Sequence, residues 1–442
     1  MALTSDDQRF LKAVHGEFTD KPLVPGDSRY EPLHEVLGDT DPVMLMGRHI
    51  AFNDPESIQL FSGFSGCGKS TELLRLKGQL EDAGYFVLYA DALDYVNPAE
   101  PIDISDLLMV LAGSFSEKLE ERLGTDIVWE SYWTRAYAFL TGSELRLEEV
   151  GIKAGVDLKL QIKTASSFRA ELQRFLATRI GELKAQVDHF FEDGLKAIRA
   201  KRGDDTQVVF IFDSLEQLRG NYQNWESVIR SVDQLFSAHI ERLRIPYIHV
   251  VYAAPPWLKF LLHVGPPVTI LPTVHLWNND AGRTDFADGL NAFRRLLNRR
   301  LKVADAARLF GPDAAARDQL VDRLIAASAG HPRDLLRLVQ ETLKRATTLP
   351  VTAREVDSVV NAARRDFLPI ALDDARWLAD IGRQRDIALR TADERSVERL
   401  SRFLDSHLVC YFVNKQAWYD THPLIREEIE KVIRAAGAPP GC

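Results

Sequence analysis

Residues 61–71 read FSGFSGCGKST, and few stretches constrain a fold so tightly. Gly63, Gly68, Lys69 and Ser70 fill the pattern G-x-x-x-x-G-K-[ST], whose glycines let the backbone curl until successive N–H groups face one point. A helix starting there adds its positive dipole end, so an oligophosphate is held mainly by main chain. The stretch from Gly63 through Ser65, Gly66, Cys67 and Gly68 to Lys69, Ser70 and Thr71 is therefore the candidate phosphate cradle. Lys69 is placed to reach the outer phosphates and Ser70 to offer a hydroxyl to Mg²⁺. Such a loop needs a strand before it and a helix after it. SIQLFS (57–62) is β-prone, and Leu73, Leu74, Leu76 and Leu80 recur at helical spacing up to Gly84.

Four further β-rich runs follow, YFVLYAD (85–91), QVVFIF (207–212), YIHVVYA (247–253) and VTILPTVHLW (268–277), mostly separated by helical patterns. Apolar strands divided by helices predict an α/β fold with a five-stranded parallel sheet covered on both faces. The third run delivers Asp213 to a C-terminal strand end, the edge where open α/β sheets bind ligands. Mg²⁺ on a nucleotide keeps waters that a carboxylate must hold, which suits Asp213. Glu216, three residues on, is the candidate to orient or deprotonate an attacking water. The competing reading is that both acids cap the next helix.

A third element is AASAGHPRDLLRLVQ, where Gly330 and Pro332 bracket a turn into a helix. Arg333 sits in that helix's first turn, where the dipole disfavours a cation, so an anion is expected nearby. A terminal phosphate is one candidate; Asp334 or solvent is the other.

Between the second and third strands lies a long interval. Val156, Leu158, Leu160 and Ile162 alternate with Asp157, Lys159, Gln161 and Lys163, which predicts a half-exposed strand turned through Gly151–Gly155. After residue 281 helical periodicity takes over, and residues 281–350 carry thirteen Lys/Arg against eight Asp/Glu. Beyond a break at 347–355, DERSVERLSRFLDS reads as a helix. LVCYFVNKQAWYDT reads as two strands about Asn414-Lys415-Gln416, and a last helix closes a winged-helix-like module. The expected division is an N-terminal segment, 1–48; a core, 49–280, with a helical and β-hairpin insertion at about 125–205; a helical lid, 281–350; and a winged helix, 351–442.

Composition narrows the classes. Fifty-five Lys/Arg against 64 Asp/Glu give a net charge of −9, which argues against a dedicated nucleic-acid binder. Three cysteines without metal-ligand spacing argue against a disulfide framework or a zinc site, and a reducing, cytoplasmic setting is expected. The longest apolar run, IPYIHVVYAAPPWL (245–258), is shorter than the roughly 20 residues a bilayer requires and reads as a buried strand, so no membrane partner is expected. The opening residues lack a secretory pattern.

With these motifs assembled, the chain resembles the STAND and AAA+ P-loop ATPases. The likeness is strongest to the branch that joins a nucleotide-binding domain to a helical lid and a winged helix, as origin-recognition initiators do. It rests on GFSGCGKST, VVFIFDSLE, HVVYAAPPWL and GHPRDLL together with the domain order. It implies ATP and Mg²⁺ as cofactors, an ATPase reaction, and nucleotide contact by Pro332 with γ-phosphate sensing by Arg333. It also implies adenine packing by the segment holding Tyr30 and Pro32. Two departures stand out: Ser214 follows Asp213 where motors carry a second acid, and the YAAPP strand end offers only Tyr252 as a polar sensor.

These features lead to an ATP-binding, slowly hydrolysing switch that regulates an effector protein, in a setting such as stress signalling or antiphage defence. The alternatives are an initiator-like ATPase that docks its winged helix on DNA, and a scaffold that keeps ADP. In a homo-oligomer, Arg299 and Arg300 could reach a neighbour's nucleotide, or each could serve an intramolecular ion pair.

Overall fold

The computed structural model describes residues 3–38, 41–124, 130–142, 152–220, 223–260, 266, 268–387, 394–414 and 416–437. In chain order, α1 (Ser5–Glu17) and α2 (Pro42–Phe52) precede β1 (Ser57–Gly63), α3 (Lys69–Asp82) and β2 (Phe86–Asp91). Next come α4 (Ile104–Leu123), α5 (Tyr132–Gly142), α6 (Gly155–Thr164), α7 (Ser166–Leu176), α8 (Ile180–Arg202), β3 (Val208–Asp213), α9 (Trp225–Phe236), β4 (Ile248–Ala254) and β5 (Val268–Leu271). The remainder comprises α10 (Ala287–Asn298), α11 (Val303–Phe310), α12 (Ala314–Ala327), α13 (Pro332–Arg345), α14 (Ala353–Asp366), α15 (Leu372–Gln384), α16 (Glu394–Asp405), β6 (Val409–Asn414), β7 (Gln416–Thr421) and α17 (Arg426–Gly437). The chain divides into two compact units. One is Val43–Ser62 with Glu72–Ile270; the other is Met1–Pro42, Gly63–Thr71 and Leu271–Cys442.

The first unit is built on the α/β sheet, in the order β2-β3-β4-β1-β5. The β2–β3, β3–β4 and β4–β1 pairings are parallel. Every residue of β1, β3 and β4 is buried, as expected for strands covered on both faces. Ser62 of β1 is level with Ala254, and Phe212 of β3 is level with Tyr252, so β1 and β3 run out at one edge although β4 lies between them. The chain enters the glycine loop at that edge, and Asp213 ends β3 there.

Helix α4 packs on β2 and α8. Reciprocal caps between Asp103 and Asp106 start it, and Gly124, at φ 78°, stops it. Its Phe115 meets Phe191 and Phe210 edge-on at 4.8 and 5.6 Å.

The strand expected over 156–162 is instead helix α6. Alternation and an i,i+4 stripe coincide at Leu158 and Ile162, and the fold takes the stripe. Those two are buried, while Val156 and Leu160 remain 78% and 58% exposed. Gly155, expected in a hairpin turn, begins the helix so close to α5 that an added Cβ would lie 2.4 Å from the carbonyl carbon of Trp133. The remainder of that expected hairpin, 143–151, lies outside the described residues. The run expected over 268–277 ends as a strand at Leu271, because Pro272 follows and cannot donate to a ladder.

In the second unit, α10 to α14 form a helical array in which α13 packs on α12 and α14. Reciprocal caps between Thr352 and Glu355 start α14. Downstream, β6 and β7 form an antiparallel hairpin closing at Asn414↔Gln416; Lys415 of the expected turn lies outside the described residues. Helix α15 packs on α17 and β7, and α16 on β6. Helices followed by a hairpin and a closing helix are the winged-helix arrangement expected from the sequence. Phe412 anchors the core of this module, 4.5 Å from Trp418 and 5.3 Å from Trp277. Cys67 and Cys410 are buried and form no disulfide, and Cys442 lies outside the described residues. Among the described residues no helix is long and apolar enough to cross a membrane.

Candidate functional site

The loop's conformation explains its glycines. Gly66 and Gly68 have φ of 77° and 103°, values that side chains resist. Gly63 is needed for space, because a Cβ there would lie 2.9 Å from both Cys67 Sγ and the Leu271 carbonyl. Lys69 opens α3 and is buried, its ammonium donating to the carbonyls of Gly63 and Phe64 at 2.9 and 3.0 Å. Ser65 and Ser70 are half-buried and Cys67 is buried. Thr71 Oγ1 accepts from Leu23 N at 3.1 Å, which ties the N-terminal segment to the first turn of α3.

The start of α13 meets this loop directly. Gly330 has φ of 82°, and a Cβ on it would fall 1.8 Å from the Val274 carbonyl oxygen, so only glycine fits the turn. Pro332 then opens the helix. The Arg333 N–H donates to the Gly66 carbonyl at 3.2 Å, and its Nη1 donates to Ser65 Oγ at 3.2 Å. Asp20 stands 3.9 Å from its Nε. Asp334, the alternative partner weighed from sequence, is engaged elsewhere: His407 Nδ1 lies 2.9 Å from its carboxylate. Burial pushes that carboxyl up, but the His407 contact outweighs it and holds the pKa at about 2.

Sequence reasoning missed what lies under this turn. His331 is fully buried and stacks on His407 with ring centres 4.2 Å apart. Burial, reinforced by His407, lowers its pKa to about 3, so it is a neutral ring at ordinary pH. Phe64 of the loop packs edge-on to His331 and stacks on Tyr411 of β6, at 6.2 and 6.1 Å. The glycine loop, the Gly-His-Pro turn and the C-terminal hairpin are thus joined by rings. A lone His in GHP carries no signal for this in sequence.

In the sheet unit, Asp213 is buried with both carboxylate oxygens held: Tyr89 Oη donates to Oδ2 at 2.5 Å and Ser214 N to Oδ1 at 2.7 Å. Ser214 adopts a left-handed backbone, φ 70° and ψ 7°, which turns the chain into the short 3₁₀ turn carrying Glu216. Left-handed non-glycine residues are strained and concentrate at functional sites. Glu216 is buried at 6% exposure. The place of a second adjacent acid is filled from the next strand, since Asp91 at the end of β2 is directly paired with Asp213. Burial raises the Asp91 pKa, although its bonds to Leu93 N and the Ser214 side chain oppose this. Burial, with Asp213 adding to it, also pushes the Tyr89 hydroxyl far up, so it stays a donor. The parallel endings YAD and FIFD were the available sequence signal. Tyr252 is not a sensor, because its buried hydroxyl donates to the Leu243 carbonyl at 2.7 Å.

Tyr30 lies 3.4 Å from His34 Nδ1 through its hydroxyl, and Pro32 precedes a 3₁₀ turn over Leu33–Val36 that packs on α10. Glu31 between them is buried and receives Arg295 and Arg299 at 2.6 and 3.2 Å. Arg299 therefore makes an ion pair within the chain, and Arg300 donates to the carbonyls of Arg29 and Leu296.

Taken by itself, the glycine loop suits an oligophosphate. The loop offers an amide cradle at the N-terminus of a 14-residue helix with a lysine over it. Each Asp213 oxygen, although already accepting one bond, keeps a lone pair for a metal-bound water.

No protein-family model matches the chain, and no curated protein matches it. Among solved structures it is similar to the ORC2 protein of Aeropyrum pernix in its ADP form, at 12% identity over 96% of this chain and 99% of that one, with a TM-score of 0.40. A Walker-type ATPase of Pyrococcus abyssi matches at 12% identity over 95% and 99%, with a TM-score of 0.41. Cdc6p from Pyrobaculum aerophilum matches at 11% identity over 99% and 100%, with a TM-score of 0.32. Likenesses of this size say nothing of what this chain binds.

Proposed function

We propose that the chain is an ATP-binding, slowly hydrolysing switch whose helical lid reports the terminal phosphate. The observation that supports this reading is the pair of bonds that Arg333 of α13 makes to the glycine loop, its main-chain N–H to the Gly66 carbonyl and its guanidinium to Ser65. In this reading Gly63, Ser65, Gly66, Cys67, Gly68, Ser70 and Thr71 bind the phosphates, while Tyr30 and Pro32 flank the base. Lys69 leaves the Gly63 and Phe64 carbonyls for the β and γ oxygens. Ser70 and Asp213 would hold Mg²⁺, which would supply positive charge toward those oxygens. Glu216 orients the attacking water and accepts its proton. Arg333 exchanges Ser65 for the γ-phosphate and returns to it after hydrolysis.

One such contact is worth about 1.5–3 kcal/mol, whereas swinging an equilibrium from 1:99 to 99:1 takes about 5.5 kcal/mol. Arg333 therefore acts together with Lys69 and the metal, a partition that suits a switch acting on a partner protein. The ring contacts from Phe64 to His331 and Tyr411 give the lid turn and the hairpin a shared reason to move. Duplex binding through α16 is opposed by Asp374, which already engages Arg399 and Arg402. The test is Mg-ATP binding and turnover: Lys69→Ala is expected to abolish binding, and Glu216→Gln to keep binding and lose turnover. Wild-type protein that binds no adenine nucleotide with Mg²⁺ present would end the proposal. A defence role predicts that deleting the gene changes phage sensitivity; an unchanged plaque count refutes that part alone.

A further inference from the structure

The loop at 279–283, with α15, β7 and α17, borders an open cleft of about 810 Å³, within the range of small-molecule sites. Five arginines line it, Arg283, Arg383, Arg385, Arg426 and Arg434, against only Asp280 and Glu430. Ile429, Ile433 and Ala379 supply an apolar wall.

Three of these arginines converge on one acid. Asp420, fully buried, receives Arg283 Nε and Nη2 at 2.9 and 3.0 Å, Arg426 Nη2 at 3.0 Å, and Arg385 Nη1. Trp277 Nε1 and Thr421 N also donate to it, at 3.0 and 2.8 Å. One carboxylate thus faces three guanidinium groups that are only 12–28% exposed. The cluster carries two positive charges more than it can neutralise. Asp280 makes no ion pair with them: its carboxylate accepts from Thr284, while its main-chain carbonyl accepts from Arg385. The bonds of Arg283 and Arg426 run through Nε and Nη2. Burial, with Arg283 and Arg385 adding to it and Asp420 opposing, draws Arg426 down to about 10, consistent with cations in excess.

A tether between the 277–283 loop and the C-terminal module would need one acid and one or two arginines. A third guanidinium at low exposure costs stability unless an anion meets it. A phosphate monoester carries about −1.5 to −2 at neutral pH and accepts from guanidinium forks, which matches the surplus. Nucleic-acid backbone tracking requires an open basic stripe. Here the site is concave, and the rim arginines are interleaved with acids, Arg383 beside Asp380 and Arg434 beside Glu430.

We propose that this cleft is a second anion site, separate from the glycine loop, taking the phosphate of a nucleotide-sized small molecule whose apolar part rests on Ile429 and Ile433. Because the site joins the 279–283 loop, α15 and α17, its occupant stabilises the C-terminal module.

The test titrates AMP and inorganic phosphate, at fixed ionic strength, into the full chain already saturated with Mg-ADP, read by calorimetry and by thermal melting. AMP is expected to bind and raise the melting temperature. Arg383→Glu with Arg434→Glu, which changes exposed side chains, is expected to weaken AMP at least tenfold and to leave Mg-ADP affinity unchanged, while the ligand-free melt falls slightly because each new glutamate faces Asp380 or Glu430. Lys69→Ala, which empties the glycine loop, is expected to keep AMP binding, so failure of the ATPase reading and failure of this one separate. Phosphate binding as tightly as AMP identifies the free anion as the source, and AMP binding tighter identifies the nucleotide; either supports the site. The proposal is overturned if neither probe binds the saturated chain, if the charge-reversed pair binds AMP normally, or if Lys69→Ala abolishes AMP binding. It is equally overturned if a labelled duplex, and not AMP, is the ligand that the charge reversal releases.

Discussion

Replacing Gly66 by alanine tests how the lid is seated on the loop. The new methyl would stand 2.7 Å from Arg333 Cβ, whereas ordinary contact begins at 3.4 Å, so loop and helix must part by 3.4 − 2.7 = 0.7 Å. Adding that to the 3.2 Å bonds from Arg333 to Gly66 and Ser65 gives about 3.9 Å, too long for a hydrogen bond. Two bonds at about 0.5–1.5 kcal/mol each are lost, and an L-residue at φ 77° adds about 1–2 kcal/mol. The expected loss is about 2–5 kcal/mol in a urea titration, with a reduced preference for ATP over ADP. Arg333→Ala forfeits the Ser65 hydrogen bond, about 0.5–1.5 kcal/mol, and the partly exposed pairing with Asp20, worth little, since its main chain still bonds Gly66. The reasoning is refuted if Gly66→Ala melts within about 0.5 kcal/mol of wild type, or if Arg333→Ala costs as much as Gly66→Ala.

Other expectations follow from the same geometry. Leu158→Ala should cost about 2–5 kcal/mol and Leu160→Ala under about 0.5, because α6 buries one and exposes the other; equal losses would restore the strand. Gly113→Ala should destabilise by about 1–3 kcal/mol or more, since its methyl would fall 2.1 Å from the Trp133 ring; a neutral result in a urea melt would contradict the α4–α5 packing. Tyr89→Phe should cost about 1–3 kcal/mol by leaving a buried Asp213 oxygen short of a donor, and should alter the Mg²⁺ dependence of turnover; an unchanged Mg²⁺ titration would remove Tyr89 from the site. His331 has a folded pKa of about 3 against 6.5 unfolded, so the unfolded chain binds its proton first. Its contribution is complete above pH 6.5 and is lost as pH falls from 6.5 toward 3, by up to about 5 kcal/mol. Urea midpoints near pH ~7.5 and pH ~5 should therefore differ more in wild type than in His331→Gln.

The glycine loop, the five strands and the C-terminal helices with their hairpin were legible because each carries its physics locally. A buried parallel strand must be an apolar run, and the loop's glycines follow from its φ angles. The α6 segment was not legible, because leucine, valine and isoleucine at every second position satisfy a strand and, at every fourth, a helix. The burial of Leu158 and Ile162 together, with Gly155 seated against Trp133, falls on the helical side. Asp213 could be placed from one strand, but its partners Tyr89 and Asp91 required the β2–β3 register, which no local pattern encodes. The stacking of His331 on His407 and the Asp420 cluster likewise depend on residues far apart in sequence.

The account is tested most directly by measuring Mg-ATP and Mg-ADP affinities calorimetrically for wild type and Arg333→Ala. A side chain that meets only the third phosphate, worth about 1.5–3 kcal/mol, predicts a roughly 10- to 150-fold loss for ATP and no change for ADP. Equal losses for the two nucleotides, or no loss for either, would contradict it.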